Sequence, residues 1–236
     1  ACGKALGSIP SSTVGYERLY AWWAKYVQND DEEGFVNELL AGQPEAHSYF
    51  ARMKHQNKVG PAVMGERKPL EEVPAEKLSK DLESGFVDFV DTRDHNEVRE
   101  GTVPNAIAVP GVGKTATYGA WVINPEASDY KPMVLLADDQ EEAMRIWDHL
   151  VRVGIDDVVG YVDSLDGLTV EPVATVAPED LEDFDKSMIL DVRAKTEFDE
   201  GHIPGAKQLH SSQTMWKLDQ LPAKDADKPI VIHCQS

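Results

Sequence analysis

The sequence predicts an α/β protein in which two related domains, each a parallel sheet flanked by helices, follow a helical segment. Three observations predict it. Short apolar runs alternate with helical patterns from residue 85 onward, a 20-residue stretch recurs 100 residues later, and residues 11 to about 57 carry a helical period.

In the helical segment Leu19, Trp22, Trp23 and Tyr26 fall at i, i+3, i+4 and i+7, which predicts one helix with a single apolar face. The Trp22-Trp23 pair reads as packing. A second helix is expected after Asn29-Asp30, with Asp31, Glu32 and Glu33 in its first turn where the dipole favours acids, ending at Gly42. A third is expected from about His47 to Asn57. Gly60-Pro61, Pro69, Pro74 and Gly85 make residues 58 to 85 a connector, with a short helix near Ala75 to Leu82. Beyond it come a strand at Gly85 to Asp91, a strand at Pro132 to Ala137, a helix from Gln140 to Val153 closed by Gly154, and a strand at Asp157 to Val162. The texture restarts at about Ala177.

The restart is an internal repeat. DTRDHNEVREGTVPNAIAVP from Asp91 aligns without gaps on DVRAKTEFDEGHIPGAKQLH from Asp191, with Asp91/Asp191, Arg93/Arg193, Glu97/Glu197, Glu100/Glu200, Gly101/Gly201, Pro104/Pro204 and Ala106/Ala206 identical. A period of about 100 residues is domain-sized, above the roughly 20 to 50 residues of solenoid repeats.

Length and charge bound the function. At 236 residues the chain holds one large domain or two ordinary ones, and 42% hydrophobic with 28% charged residues is a globular composition. Lys+Arg 23 against Asp+Glu 42 gives a formal charge of -19, which excludes a nucleic-acid partner without a local basic patch. Apolar runs such as Met133 to Ala137 fall far below the ~20 residues of a membrane span. Cys2 and Cys234 are too few for a disulfide framework and fit a reducing compartment, so a cytoplasmic location is expected. The chain starts Ala1-Cys2-Gly3-Lys4 without Met and stops at Ser236 just after a strand pattern, so a fragment of a longer protein is expected.

The sharpest chemical signal is Cys234. It follows the apolar strand pattern Lys228 to His233 and so falls at a C-terminal strand edge, where reactive groups collect in open α/β sheets. A loop and helix after it would present N–H groups and a dipole that favour the thiolate. Sulfur or phosphoryl transfer through a nucleophilic Cys234 is the implied chemistry.

Asp191-Val-Arg193, Glu197-Phe198, Gly201-His202-Ile203-Pro204-Gly205-Ala206 and the strand ending in Cys234 together resemble the rhodanese domain. The resemblance implies that Cys234 accepts a sulfane sulfur as a persulfide and passes it to a thiol or cyanide, with Gln235 and Ser236 beginning the loop that cradles it. The family's loop continues through a Gly and an Arg that this sequence does not reach, and loop length, which separates sulfurtransferases from phosphatases and arsenate reductases, stays open. Asp191 and Arg193 read as an ion-pair staple supporting the loop, since the first repeat keeps Asp91, Arg93 and Glu97. His202 and His233 read as structural. In the first repeat Ala137 falls at the Cys position and Asp138-Asp139 follow, so that repeat is expected to be inactive.

Gly15-Tyr16-Glu17, Gly42-Gln43-Pro44-Glu45, and Tyr49 to Lys54 followed by Asn57 and Gly60-Pro61 resemble the helical C-terminal end of the metallo-β-lactamase-fold domain in persulfide dioxygenase-rhodanese fusions. That resemblance implies a mononuclear iron in an upstream domain, with its ligand motif outside this sequence, and no metal or cofactor in the chain itself. Cys2 is then a candidate second thiol near that centre. The implied domains are 1–74, the helical part plus linker; 75–172, an inactive rhodanese-like domain; and 173–236, a second one truncated after Cys234. His47 and His55 lack a third ligand and read as solvent-facing. Gly111-Val112-Gly113-Lys114-Thr115 mimics a phosphate loop, but Ala108 stands where its first Gly belongs and no long helix pattern follows.

The leading expectation is a sulfurtransferase taking thiosulfate, glutathione persulfide or a similar donor and passing sulfur to thiol acceptors. No nucleic-acid or membrane partner is expected, and a homo-oligomer is a candidate state. Two other readings stand beside it: a docking module in which neither repeat is catalytic, and a Cys-based phosphatase or arsenate reductase.

Overall fold

The computed structural model describes residues 11–43, 45–111, 113–222 and 229–235. They fall into two compact units, residues 1–45 and 46–236.

In the first unit the expected single helix is two. Helix α1 (Val14–Tyr20) starts at Thr13, whose hydroxyl accepts from the Tyr16 amide at 3.2 Å, and stops where Ala21 turns extended at ψ 147°. Helix α2 (Ala24–Gln28) follows. The break frees Trp22 to stack flat on Phe35 at 5.6 Å, with Tyr26 edge-on to both rings. Aromatic packing within the unit therefore overrides the continuous helical period. Helix α3 (Glu32–Leu40) is capped by Asp31, which accepts from the Gly34 amide at 2.8 Å, so the cap lies past the expected Asn29-Asp30.

The second unit opens with α4 (Phe50–Val59), so His47 precedes the helix rather than riding on it. Helix α5 (Ala75–Glu83) buries Leu78. The first repeat then lays down β1 (Asp88–Asp91), α6 (His95–Glu100), β2 (Ile107–Ala108), α7 (Thr115–Val122), β3 (Met133–Leu136), α8 (Gln140–Val151) and β4 (Val158–Val162). The strands form one parallel sheet in the order β2-β1-β3-β4. Both faces are covered, which is why β3 is a continuous apolar run and not an alternating one. Val90, Met133 and Leu135 pack under Ile146 and Leu150 of α8, while Phe89, Val134 and Leu136 pack on Leu78 of α5. Helix α7 is short, eight residues, and is stabilised by packing on α8, with Thr115, Gly119 and Ala120 buried.

The second repeat copies the start of this plan: β5 (Ile189–Asp191), α9 (Lys195–Glu200), β6 (Lys207–Gln208), α10 (Ser211–Thr214) and β7 (Val231–His233), with a parallel sheet ordered β6-β5-β7. The turn before β2 or β6 needs a left-handed residue, supplied by Asn105 at φ 64° and Gly205 at φ 91°, and closes with Ala106 N–H on Val103 and Ala206 N–H on Ile203. Among the described residues no helix is long and apolar enough to cross a membrane.

Candidate functional site

Because β5 and β7 pair in parallel register, Asp191 lies directly beside His233, and the next residue after His233 is Cys234. The site is thus assembled at the C-terminal edge of the sheet, where loops converge.

Asp191 is fully buried, and Arg193 folds back over it. The Arg193 amide and Nε donate to Oδ1, both at 3.0 Å, and a terminal guanidinium nitrogen donates to Oδ2 at 2.6 Å. The same nitrogen donates to the Gly201 carbonyl at 2.8 Å, tying the loop after β5 to the end of α9. Glu197 accepts from the Ala194 amide at 3.0 Å and Gln208 donates to the Arg193 carbonyl at 2.9 Å, so the loop is held on three sides. Burial opposes the Asp191 charge, but the Arg193 hydrogen bonds and the charges of His233 and Arg193 bring its carboxyl below the usual range. The hydrogen bond to Asp191 in turn raises Arg193, with the charges of Asp191, Glu197 and Cys234 acting in the same direction.

Cys234 is exposed and opens onto a cleft walled by Arg193, Gly201 to Pro204 and His233, with the exposed Gln235 beside it. Ser236 and Cys2 lie outside the described residues. His233 Nε2 approaches Asp191 Oδ2 at 3.3 Å, yet this buried nitrogen makes no hydrogen bond of acceptable geometry. His202, on the cleft wall, is held by Phe198: its ring stacks on the Phe198 ring at 3.7 Å, and Nδ1 meets the Phe198 carbonyl at 2.8 Å.

The first repeat repeats this staple. The Arg93 amide and Nε reach Asp91 Oδ1 at 3.1 and 3.0 Å, a terminal nitrogen reaches Oδ2 at 2.6 Å and the Gly101 carbonyl at 2.7 Å, and Thr102 adds a hydroxyl to Oδ2 at 2.7 Å. The paired registers Val90–Leu135 and Leu190–Ile232 make Leu136 the counterpart of His233 and Ala137 that of Cys234. The cleft at Ala137 is lined by Glu97, Asp138, Glu142 and Asp163 as well as Arg93. A methyl group in an acidic cleft has neither a nucleophile nor an attraction for anions.

Local pattern missed one cluster. His47 is half-buried rather than solvent-facing: its Nδ1 meets the Ser212 hydroxyl at 2.7 Å, and His210 Nδ1 meets the same hydroxyl at 2.8 Å. Trp121 lies against both rings, at 5.2 and 5.5 Å. Trp216 donates to the Trp121 carbonyl at 3.0 Å and Gln213 donates to the Ala46 carbonyl at 3.2 Å, so the cluster joins the two repeats and the segment before α4. Burial, then the neighbouring His210, lowers the His47 pKa. His55 is exposed. Among the described residues no group of three or more His, Cys, Asp or Glu is arranged to hold a metal ion.

The Rhodanese-like domain model matches residues 74–168 and 176–236. No curated protein matches the chain. Among solved structures, a metallo-β-lactamase from Staphylococcus aureus is 23% identical over 67% of this chain and 42% of its own, with a TM-score of 0.48. The rhodanese-like domain of the Alr3790 protein from Anabaena sp. is 17% identical over 47% of this chain and 89% of its own, with a TM-score of 0.37. The thiosulfate sulfurtransferase from Pseudomonas aeruginosa is 16% identical over 65% of this chain and 36% of its own, with a TM-score of 0.33. The chain spans less than half the length of the first and third of these.

Proposed function

The chain belongs to the rhodanese-like domain family, and from that membership we propose that it is a sulfurtransferase carrying sulfane sulfur as a persulfide on Cys234. The observation that carries the reading is the position of Cys234, an exposed thiol at the C-terminal end of a parallel strand, in electrostatic contact with the stapled Arg193. The Cys234 thiolate attacks the outer sulfur of a donor such as thiosulfate. A new S–S bond forms, the donor S–S bond breaks, and sulfite leaves with its electron pair. An acceptor thiolate then attacks the outer persulfide sulfur, takes it, and returns Cys234 as thiolate, so no external oxidant or reductant is needed. Asp191 and Arg193 act through the loop they hold. The first repeat, with Ala137, serves as a structural partner.

The test is peptide-resolved mass spectrometry of the full-length protein after incubation with thiosulfate or glutathione persulfide. One added sulfur on Cys234, removed by a thiol acceptor, is the expected result. Full transfer by a Cys234→Ser protein would overturn the assignment. Hydrolysis of a phosphate ester in place of sulfur uptake would favour the phosphatase reading, and neither activity would favour the docking module.

The residue pattern of 15–61 supports a finer setting, in which this chain works beside an iron-dependent persulfide dioxygenase domain and handles its sulfur. The iron would belong to that domain, and no step of the transfer above passes through it. Iron content and persulfide-dependent oxygen uptake of the full-length protein check this setting.

A further inference from the structure

The two repeats build the same Asp-x-Arg staple but complete it differently. In the first, Asp91 Oδ2 takes a hydroxyl hydrogen bond from Thr102, and the neighbouring strand offers only the buried side chain of Leu136. In the second, the Thr102 counterpart is His202, which is engaged with Phe198, and the Leu136 counterpart is His233, whose Nε2 stands 3.3 Å from Asp191 Oδ2. Thr and Leu are thus exchanged together for His and His, and the exchange occurs in the repeat that has a thiol at the next position.

We propose that His233 is a positioning residue for Cys234: its imidazolium, docked on Asp191, supplies the positive charge that favours the thiolate and draws an anionic sulfur donor into the cleft. This rests on Cys234 being the nucleophile of the function proposed above. Asp191 and Arg193 cancel, and Glu197 of α9, whose charge also acts on Arg193, leaves the set one negative charge in excess; a protonated His233 removes that excess beside the sulfur, and His202 from the loop after α9 stands on the same cleft. Nε2 is buried and makes no hydrogen bond, and Asp191 Oδ2 at 3.3 Å is the carboxylate oxygen that a proton there would meet. In the first repeat a cation at this position would serve nothing, since Ala137 has no sulfur, and Leu136 packs in the core instead.

The experiment follows alkylation of Cys234 by iodoacetamide against pH in the full-length protein, with its peptide resolved from that of Cys2, alongside persulfide formation from thiosulfate. His233→Leu installs the residue of the first repeat, and His202→Thr combined with it restores the hydroxyl donor to Asp191, so the double variant folds even if the single one does not. The expected result is an alkylation profile displaced to higher pH in the folded double variant, with the rate at neutral pH about tenfold lower, as a one-unit displacement gives. Superimposable alkylation profiles in wild type and double variant would overturn the proposal. A displaced alkylation profile with no persulfide in either protein would sustain the role of His233 and refute sulfur transfer, so the two readings fail separately.

Discussion

Arg93 and Arg193 show how a two-residue spacing becomes structure. An Asp at the end of a buried strand cannot be left charged and unpartnered, and the residue two positions later returns over it with its amide and its guanidinium. The pairing was legible because both repeats keep Asp, Arg and Glu in one order. Loss of the carboxylate in Asp91→Asn leaves a buried amide facing an arginine that is a quarter exposed, and a cost of about 2 kcal/mol is expected, below the range for a fully buried pair. Burial opposes the Asp91 charge, but hydrogen bonds from Arg93 and Thr102 lower its pKa overall. Its stabilisation is therefore complete above the unfolded carboxylate value, about 4, and is lost as pH falls through the lower folded value. Urea midpoints of wild type and variant should converge below about pH 4; a constant gap would refute the ion pair as the cause. The acidic lining of the first cleft leads to a second expectation. An Ala137→Cys protein that also carries Cys234→Ser should take up no sulfur from thiosulfate, read as the absence of a sulfur adduct on the new thiol. Uptake there would show that a thiol at this strand end is sufficient.

Elements were legible to the degree that their burial pattern is local. The β3 run Met133 to Leu136 is apolar throughout because helices cover both sheet faces, and its alternation with helical patterns marks it as a parallel strand. The α8 pattern from Gln140 is equally plain, though its cap is seen only in the fold, where Asp139 accepts from the Glu142 amide at 2.8 Å. Two features were not legible. The break between α1 and α2 depends on the stacking of Trp22 on Phe35, a partner the helical period does not register. Helix α7 is apolar without one face being set apart from another, so it carries no helical period, and it packs on α8 at Gly119, where an added Cβ would come within 2.7 Å of Leu150. Leu135 is fully buried at the centre of the sheet, so Leu135→Ala should cost about 3 kcal/mol in urea denaturation. The exposed Ile232 one strand position before His233 should tolerate the same change within about 0.5 kcal/mol.

At the scale of the whole second unit, the repeat was visible as sequence, but what joins its copies was not. His47, Trp121, His210 and Ser212 share no spacing, and only the fold brings them to one hydroxyl. His210 Nδ1 accepts from the Ser212 amide at 3.1 Å, so it sits there without a proton, and protonating both rings would set two donors against that amide and hydroxyl. With the His47 pKa lowered by burial and by His210, this residue leaves stability unchanged above its unfolded value, about 6.5, and subtracts from it as pH falls through the folded value. The loss between about pH 7.5 and about pH 5.5 should shrink in His47→Gln, measured by thermal unfolding; an unchanged loss would place the acid sensitivity elsewhere. The joint also has a consequence in time. His47 and Ser212 are 165 residues apart, and Gln213 and Ala46 are 167 apart, so these bonds close a loop that spans both repeats. Contacts of such separation form late, after each sheet has organised from its nearer neighbours. Weakening the joint should therefore hasten unfolding while leaving the refolding rate of the unit nearly untouched.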